Sequence, residues 1–269
     1  MKLRFQFPAL QLLSAISIAG AALSGPHAAF AQAPAAAPAG ADYLIFKPAT
    51  ATAQPQALAG VLITAVHGTK VSVKNAMGEI SYDLSQIQEV RKAAPPEFQQ
   101  GRAAIDAGDL DKALALIRSV SDRYKGLPTT WATEATAMVG NIYVSLGKLP
   151  EAEAAFNDFQ KSYPTSGSIA ANVGKARIAA ERGNFAEARS VAEPLVADAL
   201  TKKTVTRSEN QLYGQAFYVL GRVAEGEGKL PEAMENYCRA VAIFYQERSV
   251  VSEAEKRIDA LRKKGITIP

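Results

Sequence analysis

The sequence predicts a mainly α protein: an α-solenoid of about four stacked helical hairpins with a capping helix, preceded by a small antiparallel β domain. Three observations carry this. The hexapeptide GKLPEA at 147–152 returns letter for letter at 228–233, and an internal repeat of that spacing marks a stacked architecture. A fixed register of small and apolar residues recurs around four Gly-x-x-x-x-Ala turns between 97 and 248. Between 60 and 84, apolar and polar residues alternate with period two, the mark of half-buried strands.

The chain opens with a processing signal. Lys2 and Arg4 precede a mostly apolar run over 5–23, and Ala29-Phe30-Ala31 fits a small-x-small cleavage site. Residues 1–31 therefore read as a signal peptide cut after Ala31, the alternative being a retained anchor. Loss of Lys2 and Arg4 leaves 28 basic against 26 acidic residues, a net charge near +2. That balance gives no electrostatic reason to expect nucleic acid as a partner. Export to the periplasm or envelope, or secretion, follows, with no stable membrane span after cleavage. A Pro/Ala-rich linker covers 32–42 (QAPAAAPAGAD).

The β domain is read over 43–92. Short apolar or alternating runs lie at 43–46, 60–66, 69–75 and 80–84, with Ile87 and Val90 beyond, and His67-Gly68 and Met77-Gly78 mark turns. Three or four strands in an SH3-like or Sm-like meander satisfy this pattern. Pro95-Pro96 closes the domain, because a residue before proline is pushed away from helix and proline itself opens one.

From 95 to 248 everything is helical in pattern. The alanines ending the four turns, Ala113, Ala152, Ala188 and Ala233, serve as anchors. Twelve residues before them stand Gly101, Gly140, Ala176 and Gly221, where helices can approach closely. Four residues after stand Ile117, Phe156, Ala192 and Tyr237, and seven after stand Val120, Phe159, Leu195 and Ala240. Steps of four and seven keep these on one helix face. The anchors lie 39, 36 and 45 residues apart. The largest excess falls near 199–209, a polar stretch read as an excursion between the third and fourth hairpins. A capping helix is read over 249–265: Ser252-x-x-Glu255 is a capping-box pattern, Val250, Ala254, Ile258 and Leu261 form an apolar stripe, and Glu253 and Arg257 are placed towards water.

These residues resemble the tetratricopeptide repeat. The second hairpin carries its pattern in Val139-Gly140, Tyr143, Ala152, Phe156 and Pro164, and the fourth in Phe217, Leu220-Gly221, Ala233 and Tyr237. The first and third lack the aromatic after the small residue and the closing proline. The resemblance implies that the first helix of each hairpin lines a concave groove that receives a protein or peptide segment. Positions eleven before each anchor then face the groove: Arg102, Asn141, Arg177 and Arg222. Three arginines and an asparagine form a ladder of donors suited to an acidic partner, flanked by Phe98, Ala137, Val173 and Tyr218. The same arginines also stand three or four residues from Asp106, Glu181 and Glu225, the spacing of ordinary surface ion pairs.

Other chemistries find little purchase. The lone cysteine, Cys238, lies on an apolar helix face, and after cleavage His67 is the only histidine. There is no Gly-rich phosphate loop and no nucleophile–base constellation, so neither a cofactor nor a metal is expected. The reading is a non-enzymatic interaction scaffold. A self-assembling or wall-associated structural protein is the alternative, and a carboxylate-based hydrolase the remote one.

Overall fold

A computed structural model of the chain describes residues 42–48, 50, 53–165, 168–245 and 248–267. The signal peptide and nearly all of the linker lie outside the described residues. Five strands come first: β1 (Asp42–Phe46), β2 (Ala57–His67), β3 (Lys70–Asn75), β4 (Gly78–Asp83) and β5 (Ile87–Arg91), with a 3-10 turn at Leu84–Gln86 before the last. Their order in the sheet is β4-β3-β2-β1-β5, all antiparallel. Strands β1 to β4 form the expected antiparallel meander, and β5 returns beside β1 to make five strands rather than three or four. The run at 43–46 and the pair Ile87 and Val90 both become strands because each pairs with the other, Leu44 opposite Val90.

Nine helices follow among the described residues: α1 (Pro96–Asp106), α2 (Leu110–Tyr124), α3 (Thr130–Ser145), α4 (Leu149–Ser162), α5 (Ser168–Glu181), α6 (Phe185–Thr201), α7 (Arg207–Gly226), α8 (Leu230–Ala242) and α9 (Arg248–Lys263). The first eight form four antiparallel hairpins, and the first helices α3, α5 and α7 also touch in series. Each hairpin turn closes by the same bond. The N–H of Asp109, Lys148, Asn184 and Lys229 donates to the carbonyl of Ala104, Tyr143, Ala179 and Ala224, at 2.8–2.9 Å. That bond requires a left-handed residue just past the helix, which is why glycine opens each turn: φ is 72° at Gly147 and 77° at Gly228. Pro150 and Pro231 then sit in the first turns of α4 and α8, where no N–H is needed.

The small residue and the residue four past the anchor meet as the register requires. A methyl group built on Gly101, Gly140 or Gly221 would stand 2.6 Å from Ile117, 2.6 Å from Phe156 or 2.5 Å from Tyr237. In the third hairpin two alanines, Ala176 and Ala192, share the same core. The Phe156 ring abuts two helices, since a methyl group on Gly174 of the next hairpin would also collide with it.

The sheet and the first helices share one core. Leu44, Ile63, Val71 and Val73 are buried with Phe98, Ile117, Tyr124 and Leu127. A largely buried ion pair, Lys92 Nζ to Asp42 Oδ2 at 2.9 Å, joins the residue after β5 to the start of β1. Asp42 Oδ2 also accepts from the N–H of Ile63 at 2.9 Å. Trp131 Nε1 donates to the Lys92 carbonyl at 2.8 Å, and the Lys92 ammonium stands 5.3 Å from the Tyr124 ring centroid.

Two local expectations are corrected. The excess at 199–209 is not a long excursion: it lengthens α6 to 17 residues and α7 to 20. The strong local cap there is a capping box between Thr206 and Glu209. Ser252-Glu255 caps nothing, because α9 begins four residues earlier at Arg248.

Candidate functional site

The four ladder positions lie on α1, α3, α5 and α7, one per first helix, as their shared register dictates. Their environments differ from the open row of donors that the sequence reading expects. Arg102 Nη1 lies 3.8 Å from Glu134 Oε1 of α3, with both side chains about a fifth exposed. Arg222 Nη1 holds both oxygens of Glu181 of α5, at 2.6 and 2.7 Å. The Arg177 side chain is fully buried and its Nη2 donates to both oxygens of Glu253 of α9, at 3.1 and 3.3 Å. Its guanidinium also stands 5.5 Å from the Tyr218 ring centroid. The arginines are thus matched by carboxylates from other helices of the same chain.

Helix α9 accounts for much of this. It packs on α8 and α7 but also touches α1 and α3, so it lies across the face formed by the first helices. Glu253 is therefore turned towards Arg177, with 23% of its side chain still exposed. Burial works against its charge, but the Arg177 guanidinium holds the carboxyl below its ordinary range. Arg257 likewise turns to Glu225, at 3.5 Å, and Glu225 accepts from the Tyr237 hydroxyl at 2.7 Å. Burial, reinforced by Glu253, pushes the Tyr218 phenol up to about 12. Tyr218 and Phe98 are not open flanks: only 3% and 2% of their surface is exposed. Phe98 belongs to the core shared with the sheet, near Trp131.

A cavity of about 260 Å³ lies between α3, α5 and α7. Ala137, Met138, Phe159, Ile169, Ala170 and Leu212 give it apolar walls, and Thr133, Glu134, Asn141, Gln211 and Gln215 supply polar groups. Asn141 is 7% exposed and Gln215 4%. Asn141 Oδ1, Gln215 Oε1 and Glu134 Oε1 are buried without a hydrogen-bond partner. A buried acceptor left unmatched costs about 1–3 kcal/mol, so three around one cavity mark it as more than a packing defect.

Of the ladder and flank residues expected from sequence, the structure brings Asn141 and Ala137 to this cavity, beside Phe159 of the repeat register. Glu134, Ala170 and Gln215 were missed, although the signal was present. They stand seven residues before Asn141, Arg177 and Arg222, so continuing the ladder register two turns towards the helix N-termini reaches all three. Elsewhere, burial pushes the Cys238 thiol up, which favours the unreactive protonated form. Among the described residues no group of three or more His, Cys, Asp or Glu is placed to hold a metal ion, and no helix is long and apolar enough to cross a membrane.

Comparison with known proteins follows this geometry. The family model described as tetratricopeptide repeat matches residues 98–167, 138–199 and 173–248. No curated sequence matches the chain. Among solved structures, "MamA 41-end from Desulfovibrio magneticus RS-1" is 17% identical, with a TM-score of 0.33, over 64% of this chain and 96% of its own. "MamA RS-1 ArsTM double mutant" is also 17% identical, with a TM-score of 0.32, over 64% of this chain and 98% of its own. "MamA AMB-1 P212121" is 16% identical, with a TM-score of 0.31, over 64% and 92%. The tetratricopeptide fold serves in general as a non-enzymatic protein-interaction scaffold. With hairpin turns, small-residue contacts and family match all falling on the same repeats, the chain belongs to the tetratricopeptide repeat family.

Proposed function

We propose that this protein is an exported interaction scaffold of the periplasm or cell envelope that holds a segment of a protein partner in the α3–α5–α7 cavity. The observation that carries the reading is the cavity itself. It lies on the first-helix face, where α9 leaves that face uncovered, and it combines apolar walls with two buried amides, Asn141 and Gln215. Apolar pockets with a few convergent polar groups are the usual form of a binding site. Lys2, Arg4 and the Ala29-Phe30-Ala31 pattern support export.

The test is partner capture from envelope extract, comparing the mature protein with Ala137→Trp, which fills the cavity, and with Ser252→Trp on the exposed side of α9. Partners lost with Ala137→Trp and kept with Ser252→Trp support the cavity. Partners unchanged in both refute it. The mass of the mature chain in the periplasmic fraction tests the cut after Ala31.

A second reading rests on the β4 edge, which pairs with no further strand among the described residues and carries exposed Ile80, with exposed Met77 in the turn before it. Bare apolar edges favour strand-to-strand association. Self-assembly through this edge requires a mass that rises with concentration in light scattering and stays monomeric in Ile80→Lys.

A further inference from the structure

The cavity's chemistry is opposite to that of an arginine ladder. Arg102, Arg177 and Arg222 each have a carboxylate of the same chain beside them. Among the described residues lining the cavity, Glu134 alone is charged. Three acceptor oxygens of these residues are buried without a hydrogen bond: Asn141 Oδ1, Gln215 Oε1 and Glu134 Oε1, whose nearest cation, Arg102 Nη1, stands at 3.8 Å. Their neighbours Met138, Phe159, Ile169 and Leu212 are apolar. An occupant matched to these oxygens has an alkyl stem for the walls and a tip that donates several hydrogen bonds. Among protein side chains, lysine and arginine meet that description. A carboxylate tip would face the Glu134 carboxylate, with the amide N–H groups of Asn141 and Gln215 as donors to offset it.

We infer that the α3–α5–α7 cavity is a binding site for a lysine or arginine side chain of a partner protein, read by Glu134, Asn141 and Gln215. This rests on the proposed role as an interaction scaffold and names the chemistry of the segment held. Either basic side chain satisfies the three acceptors, and the experiment separates the two.

The probes are four blocked pentapeptides, alanine at every position except the centre, which is lysine, arginine, norleucine or glutamate. Binding to the mature protein is followed through the amide signals of residues 133–141 and 211–215. The lysine or arginine peptide is expected to bind at least about tenfold more tightly than the norleucine peptide, as a charged hydrogen bond allows, and the glutamate peptide weakest. Glu134→Gln is expected to shrink the lysine-to-norleucine ratio to within about threefold, by removing the one charge at the site. Gln215→Met, which keeps volume and leaves Arg102 its carboxylate, is expected to shrink it in the same direction. It serves as the control if Glu134→Gln perturbs folding.

Equal or tighter binding of norleucine overturns the inference, as does a preference for glutamate or the absence of any shift at millimolar peptide. The two proposals fail separately. Loss of partner capture in Ala137→Trp without a preference for basic side chains keeps the scaffold reading and removes this one. A basic preference with capture unchanged keeps the site chemistry and places the captured partner elsewhere.

Discussion

Removing Glu253 tests most directly whether α9 lies across the first-helix face. Arg177 has a fully buried side chain, and its Nη2 meets both Glu253 oxygens within 3.3 Å. Truncation by Glu253→Ala leaves that guanidinium buried without the α9 carboxylate. Breaking a fully buried ion pair from one side costs about 3–5 kcal/mol. The Glu253 side chain is 23% exposed, which lets water replace part of the loss and places the cost at the low end, about 3 kcal/mol. For a chain of this size 1 kcal/mol moves Tm by about 2–4 °C, so Tm should fall by about 6–12 °C. Arg177→Met removes the group that cannot be hydrated and leaves Glu253 within reach of water, so it should cost less than Glu253→Ala. The double variant should be more stable than Glu253→Ala alone, with a coupling of about 1–3 kcal/mol. Urea unfolding followed by circular dichroism measures all three, and amide exchange in α9 reports whether the helix has lifted. A Glu253→Ala cost below about 0.5 kcal/mol, the value of an ordinary surface pair, would refute the docked position of α9.

Four further outcomes follow from packing and charge. Gly140→Ala and Gly174→Ala each drive a methyl group into the Phe156 ring and should destabilise by about 1–3 kcal/mol despite alanine's better helix propensity; Phe156→Leu in the same chain should recover part of the loss, measured by urea midpoint. Acid should weaken the protein through Glu253. Its carboxyl is depressed in the folded state, so its contribution is complete above the unfolded value of about 4.5 and is lost as pH falls towards the folded value; Glu253→Gln should flatten that part of the stability–pH curve. Alkali acts through Tyr218, raised to about 12 from 10.0: its contribution is complete below pH 10 and lost as pH rises to 12, and Tyr218→Phe should remove that step. Lys92→Met leaves Asp42, 8% exposed, without its cation at the junction of sheet and helices. It should cost about 3–5 kcal/mol, with Asp42→Asn in the same chain restoring part of it in thermal melts.

The packing of each hairpin was legible because its determinants are local and repeated. Gly140 and Phe156 are 16 residues apart, Gly221 and Tyr237 likewise, so one register predicts contacts that the structure then shows at 2.6 and 2.5 Å. The arginines' partners were not legible for the opposite reason. Arg102 meets Glu134, Arg222 meets Glu181 and Arg177 meets Glu253, separations of 32, 41 and 76 residues. Each is set by how far successive hairpins rotate, a quantity that no helical period encodes. Local spacing instead offered Asp106, Glu181 and Glu225, the same-helix neighbours. The apolar stripe of α9 was visible in Val250, Ala254, Ile258 and Leu261, but a stripe names a buried face and not the surface that buries it. Glu253 was therefore placed in water when it lies against Arg177.

The internal pairing of the arginines changes which experiment can probe the groove. Reversing Arg102, Arg177 and Arg222 together to glutamate is the natural test of a donor ladder. In this fold it sets carboxylate against Glu134, Glu253 and Glu181 in turn. Two of these contacts involve side chains 15% exposed or less, where like charges are poorly screened. The triple variant should therefore lose native helical signal in circular dichroism. Loss of a partner in that background would report unfolding, not recognition. Charge exchange separates the two meanings: Arg177→Glu with Glu253→Arg keeps the pair while inverting it, and should recover part of the helical signal and thermal midpoint that Arg177→Glu alone loses. If Arg177→Glu alone melts like the parent, Arg177 is not buried against α9, and the arginines return to the groove as free donors. If the exchange rescues folding, the arginines belong to the scaffold, and binding has to be sought among the side chains they leave unmatched, Asn141 and Gln215 first.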